Sequence, residues 1–227
     1  MPVLRSSRQA TSASWFDSEP AQALFAQEQQ LLLPRLAAVP IHPWLWLAPS
    51  PRWLRAAQPG GRGLRLFRDG HGYGGDARCG LPLPLPSESL NAVVLQHVTA
   101  ADAAQLLAEV ERVLMPGGRV LLTSLNPFSP FRRHWRRHGM VVRTPQRLRQ
   151  LLDSNGLDCA PTHYLGPLWH APGGSRSLPQ LRAACLFEAE KRSLALPGPM
   201  PAQRLRWRAP VANAGMPRTL LETDENH

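Results

Sequence analysis

Lysine is all but absent from this sequence. Of its 26 basic residues only Lys191 is a lysine, set against 16 acidic residues and a formal charge of +10. Arginine, proline, alanine and leucine are correspondingly abundant. That bias reads as codon composition spread over a proteome, so basicity alone does not establish a nucleic-acid partner. Cysteine is scarce too. Cys79, Cys159 and Cys185 are odd in number and far apart, which excludes a disulfide framework and a metal-ligand spacing. No apolar run approaches the roughly 18 residues of a membrane span. The first stretch of the chain lacks the apolar core of a secretory signal. These absences predict a cytoplasmic chain with no membrane span and no metal.

What is present suits one α/β domain. The chain has 227 residues, of which 43% are apolar, enough to bury a sizeable core. Residues 1–14 are small and polar and read as a disordered terminus. Residues 15–195 carry the periodic segments of a domain, and residues 196–227 form a Pro- and Arg-bearing tail without periodicity. A helix is expected over 18–38, with Asp17 or Ser18 as its cap and Pro20 in its first turn. The segment 42–48 (HPWLWLA) reads as a buried strand. A short helix at 52–58 and a strand at 64–67 follow.

The middle of the chain is the most legible part. Residues 90–95 (LNAVVL) form the continuous apolar run of a strand covered on both faces. Thr99 caps a helix with Asp102 as its capping-box partner, and Leu106, Leu107, Val110, Val113 and Leu114 make one apolar stripe. Pro116-Gly117-Gly118 is expected to end that helix, and 120–124 is the next strand. Strand, helix, turn and strand in so short a span make a βαβ unit, hence a mostly parallel sheet with helices on both faces. Further on, Thr144-Pro145 opens a helix that stops at Asn155-Gly156. Residues 157–164 read as a strand that Pro161 confines to an edge or a bulge. Residues 166–179 form a loop, and 181–190 the last strand.

Three pieces in this block resemble the type-11 family of class I S-adenosylmethionine-dependent methyltransferases. They are Gly75-Asp76-Ala77, the run Leu83-Pro84 through Ser89-Leu90-Asn91-Ala92-Val93, and Arg112-Val113-Leu114-Met115-Pro116-Gly117-Gly118. Asn126-Pro127-Phe128-Ser129 and the closing Ala189-Glu190-Lys191-Arg192 are similar to later parts of the same pattern. The resemblance covers roughly 15–195. It implies a Rossmann-like fold with the cofactor at the carboxyl ends of the central strands. It also implies cofactor contacts at Ala48 and Ser50 after the first strand, Asp69 at the ribose, Asp76 and Ala77 at the adenine, and Gln96 at the fourth strand end. The sequence departs from the family where a glycine-rich loop follows the first strand, since it has Ala48-Pro49-Ser50-Pro51 there. Asp69-Gly70 equally suits a plain turn.

Two polar residues follow strands at the edge where this fold does its chemistry. His97 is a candidate base for an acceptor hydroxyl or a histidine packed at a strand end. Asn126 is a candidate acceptor-pocket residue or the cap of a proline turn. Residues 131–150 hold seven arginines and no acid. There Arg132 and Arg133 suit phosphates and Trp135 suits stacking on a base, or the segment forms a solvated lid. The reading is a methyltransferase with an unknown methyl acceptor. The alternatives are a non-catalytic relative serving as a binding or scaffold module, and an RNA-binding protein using the Arg-rich segment 132–149.

Overall fold

In the computed structural model the described residues are 15–39, 43–56, 59–70, 72–97, 103–138, 140–166 and 179–192. The expected terminus at 1–14, the tail at 196–227, the Thr99 and Asp102 cap and most of the loop at 166–179 lie outside them. The elements run α1 (Glu19–Ala37), β1 (Trp44–Ala48), α2 (Pro51–Ala56), β2 (Gly63–Asp69), β3 (Gly72–Gly75) and β4 (Leu90–Gln96). They continue as α3 (Ala103–Val113), β5 (Leu114–Leu125), α4 (Arg132–Arg136), α5 (Pro145–Ser154), β6 (Leu157–Cys159), β7 (His163–Leu165), a 3-10 turn (Pro179–Leu181) and β8 (Ala184–Lys191). One eight-stranded sheet has the order β3-β2-β1-β4-β5-β8-β6, with β7 also on β8.

The four central strands β2, β1, β4 and β5 are mutually parallel, and β3 and β8 run antiparallel to their neighbours. Strand alternation sorts the side chains onto two faces. Leu45, Leu47, Val93, Leu95, Val120 and Leu122 join one core with α3 and α5. Trp44, Trp46, Ala48, Ala92, Val94 and Leu121 join the other, under α1 and α2. The doubly covered parallel sheet expected from the βαβ unit is therefore what forms. No described helix is long and apolar enough to cross a membrane.

Three local departures have physical causes. Pro116-Gly117-Gly118 does not separate α3 from a later strand but lies within β5. Leu114 pairs with Leu90, and pairing resumes at Arg119 with Ala92, so the intervening residues bulge. Gly117 takes φ +75° there, and a Cβ on Gly118 would stand 2.8 Å from the Met115 carbonyl oxygen. The strand expected over 157–164 splits at Ala160-Pro161-Thr162 into β6 and β7, because proline offers no donor to the ladder. Third, β3 was not foreseen. It folds back from β2 as an antiparallel hairpin, its pairing ending with Leu66 against Gly75.

Two of the family-like pieces do structural work. The Glu109 carboxylate accepts from the Leu83 amide (2.7 Å) and from Arg112 (2.6 and 3.0 Å), while Arg112 also donates to the Leu83 and Leu85 carbonyls. This fastens the 83–87 segment to α3, and the Arg112 guanidinium holds the Glu109 carboxyl below its ordinary range. Lys191 donates to the Glu111 and Leu114 carbonyls (2.8 and 3.0 Å). A cation thus satisfies carbonyls that the end of α3 leaves open.

Candidate active site

The carboxyl ends of β1, β2 and β4 bring Ala48, Asp69 and Gln96 to one edge of the sheet. Above this edge on the α1 face lies a polar cluster sealed from water. Trp46 Nε1 donates to Gln96 Oε1 at 2.8 Å, Gln96 Nε2 donates to Glu28 Oε2 at 2.9 Å, and Thr123 Oγ1 donates to the same oxygen at 3.2 Å. Gln96 and Thr123 are paired residues of β4 and β5, and both face α1. Glu28, at 0% exposure, descends from α1 to meet them.

His97 completes the cluster by a backbone irregularity. Alternation would send its side chain to the face opposite Gln96. Instead its backbone adopts φ +52°, a left-handed conformation that β-ladder residues avoid. The ring therefore lies on the α1 face, with Nε2 2.9 Å from Glu28 Oε1. That approach is close but not aligned as a hydrogen bond, and Nδ1 has no partner among the described residues. The His97 amide stays tied to the Thr123 carbonyl at 2.9 Å, which fixes the turn. Phe16 and Trp53 pack on the imidazole with ring centroids 5.3 and 5.2 Å away. Such strain costs of order 1–3 kcal/mol and concentrates at functional sites.

Ser50 closes the corner. It precedes α2, its carbonyl accepts the Leu54 amide, and its hydroxyl is buried without a partner. Trp53 Nε1 donates to the Phe16 carbonyl at 2.9 Å, and the Ser18 hydroxyl donates to the Trp15 carbonyl at 2.6 Å. Ser18 thus fastens the Trp15-Phe16 turn rather than capping the first helical amides. Glu28 Oε1, both ring nitrogens of His97 and Ser50 Oγ are buried polar atoms with no hydrogen-bond partner among the described residues, Glu28 Oε1 and His97 Nε2 standing 2.9 Å apart. Buried groups of this kind normally have partners.

The other sequence-predicted residues divide. Asp69, half exposed, ends β2 at the same edge and lies 3.6 Å from the Arg78 guanidinium. It also opens the Asp69-Gly70 turn into β3, Gly70 taking φ +59°. Asp76 and Ala77 are not brought to this edge. The β2–β3 hairpin carries Asp76 back beside Arg65, near the start of β2, where its carboxylate accepts from the Arg65 amide (2.9 Å) and guanidinium (3.2 Å). The guanidinium holds the Asp76 carboxyl below its usual range. Ala77 packs against the opposite core. A contact of these two with adenine is thus corrected by the antiparallel course of β3. Gln96 is turned inward to Glu28 and Trp46 rather than toward the open edge.

Asn126 also turns inward. Its amide donates to the Gln180 and Arg182 carbonyls (2.6 and 2.9 Å), and its Oδ1 accepts from the Phe128 amide at 3.1 Å. It ties the turn after β5 to the 3-10 turn, with every polar atom engaged. Arg132 and Arg133 are exposed on α4, but Trp135 is 3% exposed and packed in the core. A buried ring presents no face to a base, which corrects its expected stacking role.

Glu28 was missed in the sequence, although a signal existed. It falls four residues after Leu24 and four before Leu32, both fully buried, so an acid sits in the apolar stripe of α1. Elsewhere, a cleft of about 620 Å³ opens at the opposite, amino edge of the parallel strands, lined by Arg35, Ala92, Arg119, Asp158 and Glu188 among others. None of the candidate site residues lines it, although the family-like Ala189-Glu190-Lys191-Arg192 piece does.

Neither a protein-family model nor a curated protein sequence matches this chain. Solved structures do. The geranyl diphosphate C-methyltransferase of Streptomyces coelicolor A3(2), crystallised with Mg2+, geranyl diphosphate and S-adenosyl-L-homocysteine, aligns with TM-score 0.53 at 13% identity, covering 84% of this chain and 100% of that one. A chain of the complex containing the Haloferax volcanii Trm112 methyltransferase activator aligns with TM-score 0.52 at 16% identity, over 84% of this chain and 98% of that one. A SAM-dependent methyltransferase of Archaeoglobus fulgidus gives 0.50 at 13% identity, over 74% and 96%. With the strand order above, these likenesses define the class I methyltransferase fold.

Proposed function

We propose that this chain is an S-adenosylmethionine-dependent methyltransferase of the type-11 kind, with its cofactor at the carboxyl edge of β1, β2 and β4. The observation that carries this reading is the trio of unsatisfied buried atoms, Glu28 Oε1, His97 Nδ1 and Ser50 Oγ, at the edge where this fold binds ligands. They suit the ammonium and carboxylate of an amino-acid moiety, and the Asp69 carboxylate suits a ribose diol, so the residues fit this cofactor at those two ends. The adenine end has no acidic reader, since Asp76 is engaged by Arg65.

When bound, S-adenosylmethionine supplies a methyl group on a sulfonium, which needs alignment and desolvation more than acid–base chemistry. Ser50 and Asp69 hold and orient. Glu28 Oε1 lies 2.9 Å from His97 Nε2, which leaves Nδ1 to meet the amino-acid end of the cofactor. Phe16 and Trp53 pack on the imidazole and exclude water from it, and the Trp15-Phe16 turn must swing aside for the cofactor to reach it.

A second reading is favoured by Pro49 and Pro51. Proline lacks an N–H and fixes φ, so this loop offers fewer amides than a glycine cradle. In that reading the fold persists as a non-catalytic binding module. Calorimetric titration separates the two. The loss of a few amide hydrogen bonds predicts affinity about ten- to a hundredfold below that of a glycine cradle, still measurable at millimolar ligand. Asp69→Ala weakens binding further, and Asp76→Ala leaves it unchanged. Absence of heat with both S-adenosylmethionine and S-adenosylhomocysteine selects the non-catalytic reading.

A further inference from the structure

The most unbalanced charge in the molecule lies on α4 and its flanks. From residue 112 to residue 152 the sequence has no Asp or Glu. Several guanidinium groups elsewhere are paired with carboxylates, as in Arg35 with Glu188, Arg65 with Asp76, Arg112 with Glu109 and Arg192 with Asp158. Arg132, Arg133, Arg136 and Arg137 are all exposed, and among the described residues they have no ion-pair partner. At the helical rotation of about 100° per residue the four cover an arc of roughly 140°.

This arc is held still. Trp135, on another side of the short helix, is buried among core residues of the α1 face. Immediately before α4, on the turn that Asn126 anchors, Phe128 stands 58% exposed. A row of guanidinium groups without ion-pair partners among the described residues, on a helix anchored by Trp135 and preceded in the chain by an exposed aromatic ring, matches a chain of phosphates carrying bases. An anionic membrane is the weaker match. A helix that lies on lipid turns its apolar face outward, whereas the large apolar residue of α4 faces the core and its charge faces out.

We propose that the α4 face, with Phe128, docks a single-stranded nucleic acid, the arginines on its phosphates and Phe128 on a base. This surface is independent of the methyl-transfer reading and stands or falls without it.

The test is fluorescence anisotropy with labelled oligouridine and oligothymidine of about 20 nucleotides, titrated with the full chain at several salt concentrations. For single strands the slope of log affinity against log salt is about −0.7 per phosphate contact, so four contacts give about −3. That is roughly a fiftyfold loss between about 50 and about 200 mM salt. The quadruple variant Arg132→Ala, Arg133→Ala, Arg136→Ala, Arg137→Ala should bring the slope close to zero, whereas the quadruple Arg→Lys variant keeps it. Phe128→Ala should lower affinity about tenfold with the slope unchanged. Arg62→Ala with Arg119→Ala, exposed arginines at the amino edge of the sheet, should change nothing. Stronger binding of oligouridine assigns the surface to RNA, and stronger binding of oligothymidine to DNA. The proposal is overturned by a parent that binds neither strand at low salt, by a quadruple alanine variant that keeps the slope, or by equal slope loss in the amino-edge variant. Binding to phosphatidylserine vesicles with none to either oligonucleotide also overturns it, in favour of a membrane surface. Matching thermal midpoints of parent and variants establish that the exposed substitutions leave the fold intact.

Discussion

Glu28→Ala is expected to cost roughly 4 kcal/mol of stability. The carboxylate is fully buried and is the common acceptor for Gln96 and Thr123. Its removal strands both donors and the neighbouring His97 ring in an interior closed to water, and each stranded group carries its own desolvation penalty. For a domain of this size the midpoint of thermal unfolding should fall by about 10 °C. Glu28→Gln keeps the side-chain shape and one acceptor oxygen, so its loss should be less than half as large. A Glu28→Ala protein melting within about 2 °C of the parent would mean that the Gln96 and Thr123 groups find other partners, and the network would lose its structural meaning.

Phe16→Ala should act in opposite directions on stability and on binding. The ring is buried and packs against Trp15, Trp53 and His97. Its loss costs about 3 kcal/mol through burial and cavity terms. The same ring packs on the His97 imidazole that the ligand is proposed to meet, so a ligand must displace it in the parent. Taking it away should tighten S-adenosylhomocysteine binding by about tenfold, because the binding-competent arrangement no longer has to be bought from the closed one. Calorimetry and thermal melting on one preparation read both effects. Weaker binding in Phe16→Ala would make the ring part of the ligand's own pocket rather than a cover.

The fold was legible because its central βαβ unit is written in local pattern. The apolar run at 90–95, the stripe from Leu106 to Val113 and the strand after it each fix an element with neighbours close in sequence. The hairpin of β2 and β3 was not legible, since Gly72-Tyr73-Gly74-Gly75 has no strand-forming composition and is held by pairing alone. Gly75 takes φ +133°, and a Cβ there would lie 2.3 Å from the Arg65 carbonyl oxygen. The glycine of the Gly75-Asp76-Ala77 piece therefore serves a close backbone approach, and the aspartate follows it to Arg65. Ser50, Asp69, Gln96 and His97 were readable because strand ends in a parallel sheet share an edge. Which way each side chain turns was not. Gln96 and Asn126 point into hydrogen bonds that come from residues dozens of positions away, and the left-handed backbone at His97 reverses its face without any mark in the sequence.

The polar corner of Glu28, Ser50 and His97 is the ligand site proposed for this chain. A crystal structure of the protein grown with S-adenosylhomocysteine at millimolar concentration tests it most directly. Ligand density is expected at the carboxyl edge of β1 and β4, with the amino-acid end within hydrogen-bond reach of Ser50 Oγ and His97 Nδ1, the ribose beside Asp69, and the Phe16 ring displaced. Density in the amino-edge cleft beside Arg35 and Arg119, or a liganded crystal in which that corner stays closed, would contradict it.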